Sequence, residues 1–358
     1  MIATGRDAMG GRIVAADVAV AAQLACLLEA SAPKPGNVSP GRHFEDARYE
    51  EFLASAAAIG APLADAGTRP LGETVRVAIE ATARWTRSNT NLGIVLLLAP
   101  IARAAALEVR LKPDTTETTV RLQPDTTGTT VRLKPEATAD GAGDGARDDV
   151  IPVVSGFSRT LRATLQRVLE ETTVADAREV YAAIRRAAPG GLGRVADQDV
   201  ADEPTLSLVN VMRLAADRDA IAREYATAFD TTFHVGVPAL ARARRDRLSW
   251  DDAIVETFLT LLASGPDSHI VRRGGDALAA DVSSQAREVL AAGGVRSPEG
   301  RDAVARMDRA LRDTRHLANP GTAADLTAAA IFVVLLDGGW HTPPGAPAAE
   351  GGRDAASR

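Results

Sequence analysis

Four short stretches of this sequence combine acids, bases and amides with the Gly and Pro that hold a loop in shape. The first, SAPKPGNVSPGRHFED from Ser31 to Asp46, offers Lys34, His43, Glu45 and Asp46 on a chain stiffened by Pro33, Pro35 and Pro40. The second, RSNTNLG from Arg87 to Gly93, places Asn89, Thr90 and Asn91 before the most apolar run of the chain. The third, GPDSHIVRRGGDA from Gly265 to Ala277, holds Asp267, His269, Arg272 and Arg273. The fourth, ANPGTAADL from Ala318 to Leu326, holds Asn319, Thr322 and Asp325. A carboxylate can take a proton, hold a metal ion or face a developing positive charge. Lys and Arg hold phosphate, and free amides at a helix start bind anions. Helix capping accounts for part of the pattern: one residue of the second stretch and Thr322 of the fourth can cap, and Asp325 in a first turn suits the helix dipole. No P-loop, GxGxxG, HExxH, paired CxxC or GxSxG motif is present. The five histidines are too scattered for their spacing to indicate a metal site.

The elements that must position these stretches read as helices. Apolar residues at helical spacing predict helices over 13–30, 47–66, 71–87, 91–106, 161–169, 175–188, 251–263, 276–292, 299–317 and 323–337. The run 216–244 predicts one long helix or a broken one, kinked at Gly236-Val237-Pro238. Ser249, Ser297 with Pro298 behind it, and Thr322 are the expected N-caps. No alternating strands and no βαβ order occur, so the expected fold class is all-α, one multi-helix domain formed by residues 1–106 and 161–341.

Residues 107–160 break the pattern. VRLKPDTTETT, VRLQPDTTGTT and VRLKPEATADG follow one another with an 11-residue period, and the polar DGAGDGARDD comes after them. A proline and several threonines in each unit exclude a coiled coil. Short hairpins are compatible with VRL and PDTT, but few apolar residues are available to bury. The segment is therefore expected to be a partly disordered insertion, and 342–358 a disordered tail. Over all 358 residues, 46% hydrophobic and 25% charged side chains exclude a wholly disordered or fibrous chain. With aromatics at 4%, the core must be built from Ala, Leu, Val and Ile. A net charge of −6 argues against a general nucleic-acid binder. The single cysteine, Cys26, forms no internal disulfide and reads as a core residue. No secretory h-region is seen, and the apolar run Leu92–Ala102 is about half the length that spans a bilayer. A cytoplasmic protein is expected.

Taken in order, the four stretches resemble the motifs of the triphosphoribosyl-dephospho-CoA synthase family. Pro33-Lys34-Pro35-Gly36 followed by Gly41, His43 and Asp46 is similar to its first motif. Asn89-Thr90-Asn91-Leu92-Gly93 is similar to its Asn-Thr-His-Lys-Gly turn, Asp267 with Arg273-Gly274-Gly275 to its Asp and Arg-Gly-Gly, and Pro320-Gly321 with Ala324-Asp325-Leu326 to its last motif. The resemblance runs from about Ala16 to Leu336 except for the insertion, which the family lacks. It implies an all-α transferase that moves the triphosphoribosyl group of ATP to the ribose 2′-hydroxyl of dephospho-CoA and releases adenine. The product is the precursor of the prosthetic group of citrate lyase and malonate decarboxylase.

It implies Asp46, Asp267 and Asp325 as the catalytic carboxylates, in base, metal or ribose roles. Lys34 and Arg273 become the phosphate cations, His43 a donor to phosphate or adenine, and Asn89 and Thr90 substrate-binding groups. Gly36, Gly93, Gly274 and Gly321 would permit close backbone approach. Mg²⁺ is expected with ATP, held by Asp267 and Asp325. The expected partners are ATP and dephospho-CoA or a related acceptor, with no nucleic acid and no membrane, and a homodimer is compatible. One departure stands out: Asn91 and Leu92 occupy the places of the family's His and Lys, so a cation is missing. That leaves open a divergent member using another ribosyl acceptor, or an inactive helical nucleotide-binding or scaffold protein.

Overall fold

An almost wholly apolar helical run must be surrounded by other helices. Two runs of this chain come close to that description, LGIVLLLAPIA at the start of its fifth helix and GTAADLTAAAIFVVLL in its last. The computed structural model describes residues 13–44, 47–111, 155–312 and 315–341. Among these residues the chain forms fifteen α-helices and no β-strand, the all-α architecture expected. In order they are α1 (Ala15–Ser31), α2 (Tyr49–Ala58), α3 (Gly60–Ala64), α4 (Leu71–Thr82), α5 (Leu92–Leu111), α6 (Gly156–Glu170), α7 (Val174–Ala187) and α8 (Leu208–Ala215). There follow α9 (Ala220–Ala226), α10 (Val237–Arg245), α11 (Trp250–Ser264), α12 (Ser268–Gly274), α13 (Asp276–Ala291), α14 (Pro298–Leu311) and α15 (Gly321–Leu336).

Helix α15 is the central post. It is buried on every side and packs against α1, α5, α10 and α11. Helix α5 lies beside it, with α4 and α6 on its outer side. Small side chains make such close packing possible. A Cβ on Gly236 would stand 3.0 Å from the Cβ of Ala330 in α15. The core is mostly Ala, Leu, Val and Ile, as the low aromatic content requires, and Cys26 is part of it. No helix among the described residues is long and apolar enough to cross a membrane.

Several element boundaries differ from expectation. Helix α5 continues to Leu111 and α6 begins at Gly156, so both ends of the expected 107–160 insertion are helical. Val109-Arg110-Leu111 of the first repeat thus close α5, while the rest of the repeats and the expected tail at 342–358 lie outside the described residues. Ser249 and Ser297 cap their helices, accepting from the amides of Asp252 and Gly300. Thr322 does not cap α15, which begins at Gly321, two residues ahead of the expected start. The 216–244 run is broken. Ala228 and Phe229 adopt φ of 51° and 60°, and a π-helical turn spans Thr232–Gly236 before α10. The buried carboxylate of Glu224 holds this break, accepting from the amides of Thr231 and Thr232 at 2.9 Å each. The expected 299–317 helix stops at Leu311.

The loop after α1 is pinned by α14. The Asp308 carboxylate accepts from the Gly36 amide at 2.9 Å and from Arg42 at 2.7 Å, and Arg312 donates to the Asn37 carbonyl at 2.8 Å. Ser39 and Arg42 exchange backbone hydrogen bonds around Pro40-Gly41, with Gly41 at φ 72°, the form of a type II turn. Gly36 also has a left-handed φ of 71°, and a Cβ there would lie 2.7 Å from the Leu311 Cβ, whereas one on Gly41 would meet nothing within 4 Å. Gly36→Ala is expected to destabilise the fold by about 1–3 kcal/mol and Gly41→Ala by about 1 kcal/mol or less. Chemical denaturation of both variants measures the difference. Equal losses would show that Leu311 yields freely.

Candidate active site

The four polar stretches meet at one helix start, the first turn of α15. The first reaches it through Asn37, whose amide donates to Asn319 Oδ1 at 3.0 Å. The third reaches it through Asp267, which caps two helices at once. Its Oδ1 accepts from the amides of His269 (2.8 Å) and Ile270 (3.2 Å) at the start of α12, and its Oδ2 from the amide of Ala323 (2.7 Å) in α15. Thr322 joins the same seam, its hydroxyl accepting from the His269 amide at 3.1 Å and lying 3.1 Å from the Ser268 hydroxyl. The second stretch reaches it through Gly93. A Cβ on this glycine would fall 1.9 Å from Asp325 Oδ2, so only the bare backbone of α5 admits that carboxylate.

The environment of Asp325 is acidic and dry. Burial pushes its carboxyl well above the usual range, and the charges of Glu29, Asp267 and Asp219 push it the same way, against Arg272. Among the described residues Asp325 makes no hydrogen bond or ion pair, so its oxygens are available to a bound molecule. Asp267 is also raised by burial, opposed by the amides of Ala323, Ile270, His269 and Thr322. Arg272 pairs with Asp219 at 2.5 Å, and Asp219 caps α9 through the Ala222 amide at 3.0 Å. Burial first, then Arg272 and Arg273, lower His269 to about 4, so this imidazole is neutral at pH 7.

The expected site residues separate into groups. Asp325, Asp267, Gly93 and Gly321 lie at the convergence, with a Cβ on Gly321 falling 2.3 Å from His269 Nδ1. Lys34 is fully buried, and its ammonium is taken up by Glu29 at 2.9 Å and by the carbonyls of Glu29 and Ala32. It therefore neutralises an internal acid, and in this geometry it is not free to meet a phosphate. Asp267 has both oxygens committed to backbone amides, which suits a positioning role better than proton transfer or metal binding. Arg273 is half-buried and donates to the Arg315 carbonyl at 3.1 Å. His43 is exposed on the rim, and Asp46 lies outside the described residues.

Asn89 caps α5, accepting from the Leu92 amide at 3.0 Å, and the Thr90 hydroxyl is hydrogen-bonded to Ser55. Both line a separate cleft next to α5. The close approaches at Gly36, Gly93, Gly274 and Gly321 are made by the protein's own side chains, namely Leu311, Asp325, Leu278 and His269. Among the described residues no three His, Cys, Asp or Glu side chains are grouped to cage a metal.

Glu29, Asp219 and Ser268 belong to the site and were not expected there. Glu29 is an acid inside an apolar helix, which is a recognisable signal of a buried pair. Asp219 ahead of AIAREYA has the form of an N-cap. Ser268 carries no sequence signal, although its hydroxyl accepts from the Ala220 amide and ties α9 to α12.

Fold and site together define an all-α protein whose loops gather a carboxylate cluster around one buried helix start. A sequence model of the ATP:dephospho-CoA triphosphoribosyl transferase family matches residues 15–343, and the chain belongs to that family. It is 37% identical over 105 residues to the 2-(5″-triphosphoribosyl)-3′-dephosphocoenzyme-A synthase of Pectobacterium atrosepticum, covering 29% of this chain and 33% of that one. To the Klebsiella pneumoniae synthase of the same name it is 35% identical over 118 residues, 33% and 41% of the two chains. The matched stretches thus span about two-fifths or less of these relatives' lengths. A crystal structure from Archaeoglobus fulgidus, named for triphosphoribosyl-dephospho-CoA synthase, superposes with a TM-score of 0.51 at 22% identity. It covers 80% of this chain and 99% of that one, and it supports the fold.

A raised carboxyl pKa means that the ionised form is disfavoured in the folded state. Its cost to stability is absent below the unfolded pKa of about 4 and grows as pH rises through the folded value. Asp325→Asn is therefore expected to raise the melting temperature by a few degrees at pH 7 and by progressively less toward pH 4. Calorimetric scans across this range measure the difference, and a lower melting temperature at pH 7 would contradict the assignment.

Proposed function

We propose that this protein transfers the triphosphoribosyl group of ATP to the 2′-hydroxyl of 3′-dephospho-CoA. The bond from the ribose anomeric carbon to adenine N9 breaks, the bond to the acceptor oxygen forms, and the hydroxyl proton balances the departing adenine. The observation that carries this reading is the Asp325 carboxylate. It is half-buried, unpaired among the described residues, and set where all four family-like stretches meet. As adenine leaves, positive charge builds on the ribose, and a carboxylate in a poorly solvated site stabilises it strongly. The raised pKa of the same group makes its ionised form a better base for the attacking hydroxyl.

Asp267 is assigned a positioning role, holding α12 and α15 in register so that Asp325 and neutral His269 face the same space. Magnesium enters as part of the ATP substrate. With Asp267 committed to amides, Asp325 is the carboxylate of this cluster with oxygens left for it. The lone buried Cys26 fits a cytoplasmic setting.

The test is adenine release from ATP and Mg²⁺ with dephospho-CoA, together with the mass of the acceptor product. Asp325→Asn is expected to lower kcat by about 10²–10⁴-fold while ATP binding changes little. The wild-type rate should rise with pH through an apparent pKa above the usual carboxylate range, because the ionised form is the working one. Wild-type rates in the variant would refute the assignment of Asp325, and a wild type that releases no adenine would refute the reaction.

A further inference from the structure

A triphosphate carries about four negative charges at neutral pH and is normally met by Lys, Arg or Mg²⁺. In this fold Lys34 pairs with Glu29 and Arg272 with Asp219, which leaves Arg273, beside His269, as the cation of the site without a carboxylate partner among the described residues. One guanidinium does not balance a triphosphate, so further positive charge is needed.

A cleft of ≈ 360 Å³ opens between the end of α4, the turn before α5 and the last turn of α7. It is lined by Arg87, Arg186, Thr86, Ser88, Asn89 and Thr90 among others, and no acidic side chain lines it. Neither guanidinium makes an ion pair among the described residues, and both arginines are exposed. An acid nearby is Glu51, whose carboxylate accepts from the Ser88 hydroxyl at 3.4 Å and from the Arg87 amide at 3.5 Å. These bonds hold the turn from behind. Asn89 uses its oxygen to cap α5, so its two amide hydrogens remain to be satisfied.

The larger cavity, ≈ 560 Å³ beside α6, does not suit an anion. It is lined by Glu170, and its Arg162 is already bound to Asp230, His234 and the carbonyls of Thr227 and Ala228. The smaller cleft is also joined to the site through the chain. Asn91 lines it, and Gly93, two residues on, abuts Asp325.

We propose that Arg87 and Arg186 form an anion subsite for a di- or triphosphate ester on the flanks of the turn before α5. The inference rests on the proposed function for the identity of its ligand and on the cleft for its existence.

Calorimetric titration with inorganic tripolyphosphate tests the subsite directly. The wild type is expected to bind it, Arg87→Ala and Arg186→Ala each to weaken binding about tenfold or more, and Asp325→Asn to leave it unchanged. Both arginines are exposed, so unchanged melting temperatures are expected and serve as the folding control. In turnover assays the arginine variants should raise KM with kcat within about threefold of wild type. Parallel titrations with ATP and with dephospho-CoA identify which phosphate chain the subsite takes, since only the one it holds loses affinity in the variants. No tripolyphosphate binding by the wild type, or wild-type affinity in both arginine variants, would overturn the subsite. Arginine-dependent tripolyphosphate binding without adenine release would leave the subsite standing and remove the proposed reaction.

Discussion

The Asp267 carboxylate is the constraint on which the rest of the site depends. Each helix begins with amides that lack an internal partner, and burying them unsatisfied is costly. Two such beginnings, those of α12 and α15, are brought together around the buried Asp267. One side chain satisfies both, with one oxygen for each helix. The two helices can therefore meet only in one register. Asn319 just ahead of α15, and Thr322 and Asp325 near its start, stand at fixed places, and the surrounding loops find their partners there.

Charge follows from this arrangement. Acids crowd the helix start, and the charges of Glu29, Asp267 and Asp219 all push the Asp325 carboxyl up. Lys34 and Arg272 neutralise two of them through a buried pair and a half-buried one. Such pairs are costly to break and contribute little net stability when intact, so their main effect is to fix geometry. Asp325 remains as the uncompensated acid. The glycine at 93 gives it room, and the lack of an internal partner leaves its oxygens for something outside the chain.

Much of the fold was legible in the sequence because helical periodicity is a local property. The runs that became α1, α5, α7, α11, α13 and α15 were visible as apolar spacing, and Ser249 and Ser297 as caps. What escaped was decided by distant contacts. Helix α12 has only seven residues between Gly and Pro punctuation, so it reads as loop, although Asp267 before it and Gly275 after it, at φ 87°, are its start and stop. Thr322 looked like the cap of α15, but the true acceptor comes from 56 residues away. Lys34 looked like a loop cation because its spacing from Glu29 does not show that the chain turns back over the end of α1. The carboxylates at 267 and 325 were found by type and motif. Their opposite states, one saturated and one open, are a property of packing alone.

Helix α15 is enclosed by α1, α5, α10 and α11, and such a helix cannot tilt or slide without opening voids along its length. The carboxylate it carries is thus a stationary benchmark. Any adjustment to an arriving molecule falls to the short peripheral pieces, such as α12 and the loop that follows α1. Changes in what the protein accepts can accumulate in those outer pieces, while the reference point they are measured from stays put.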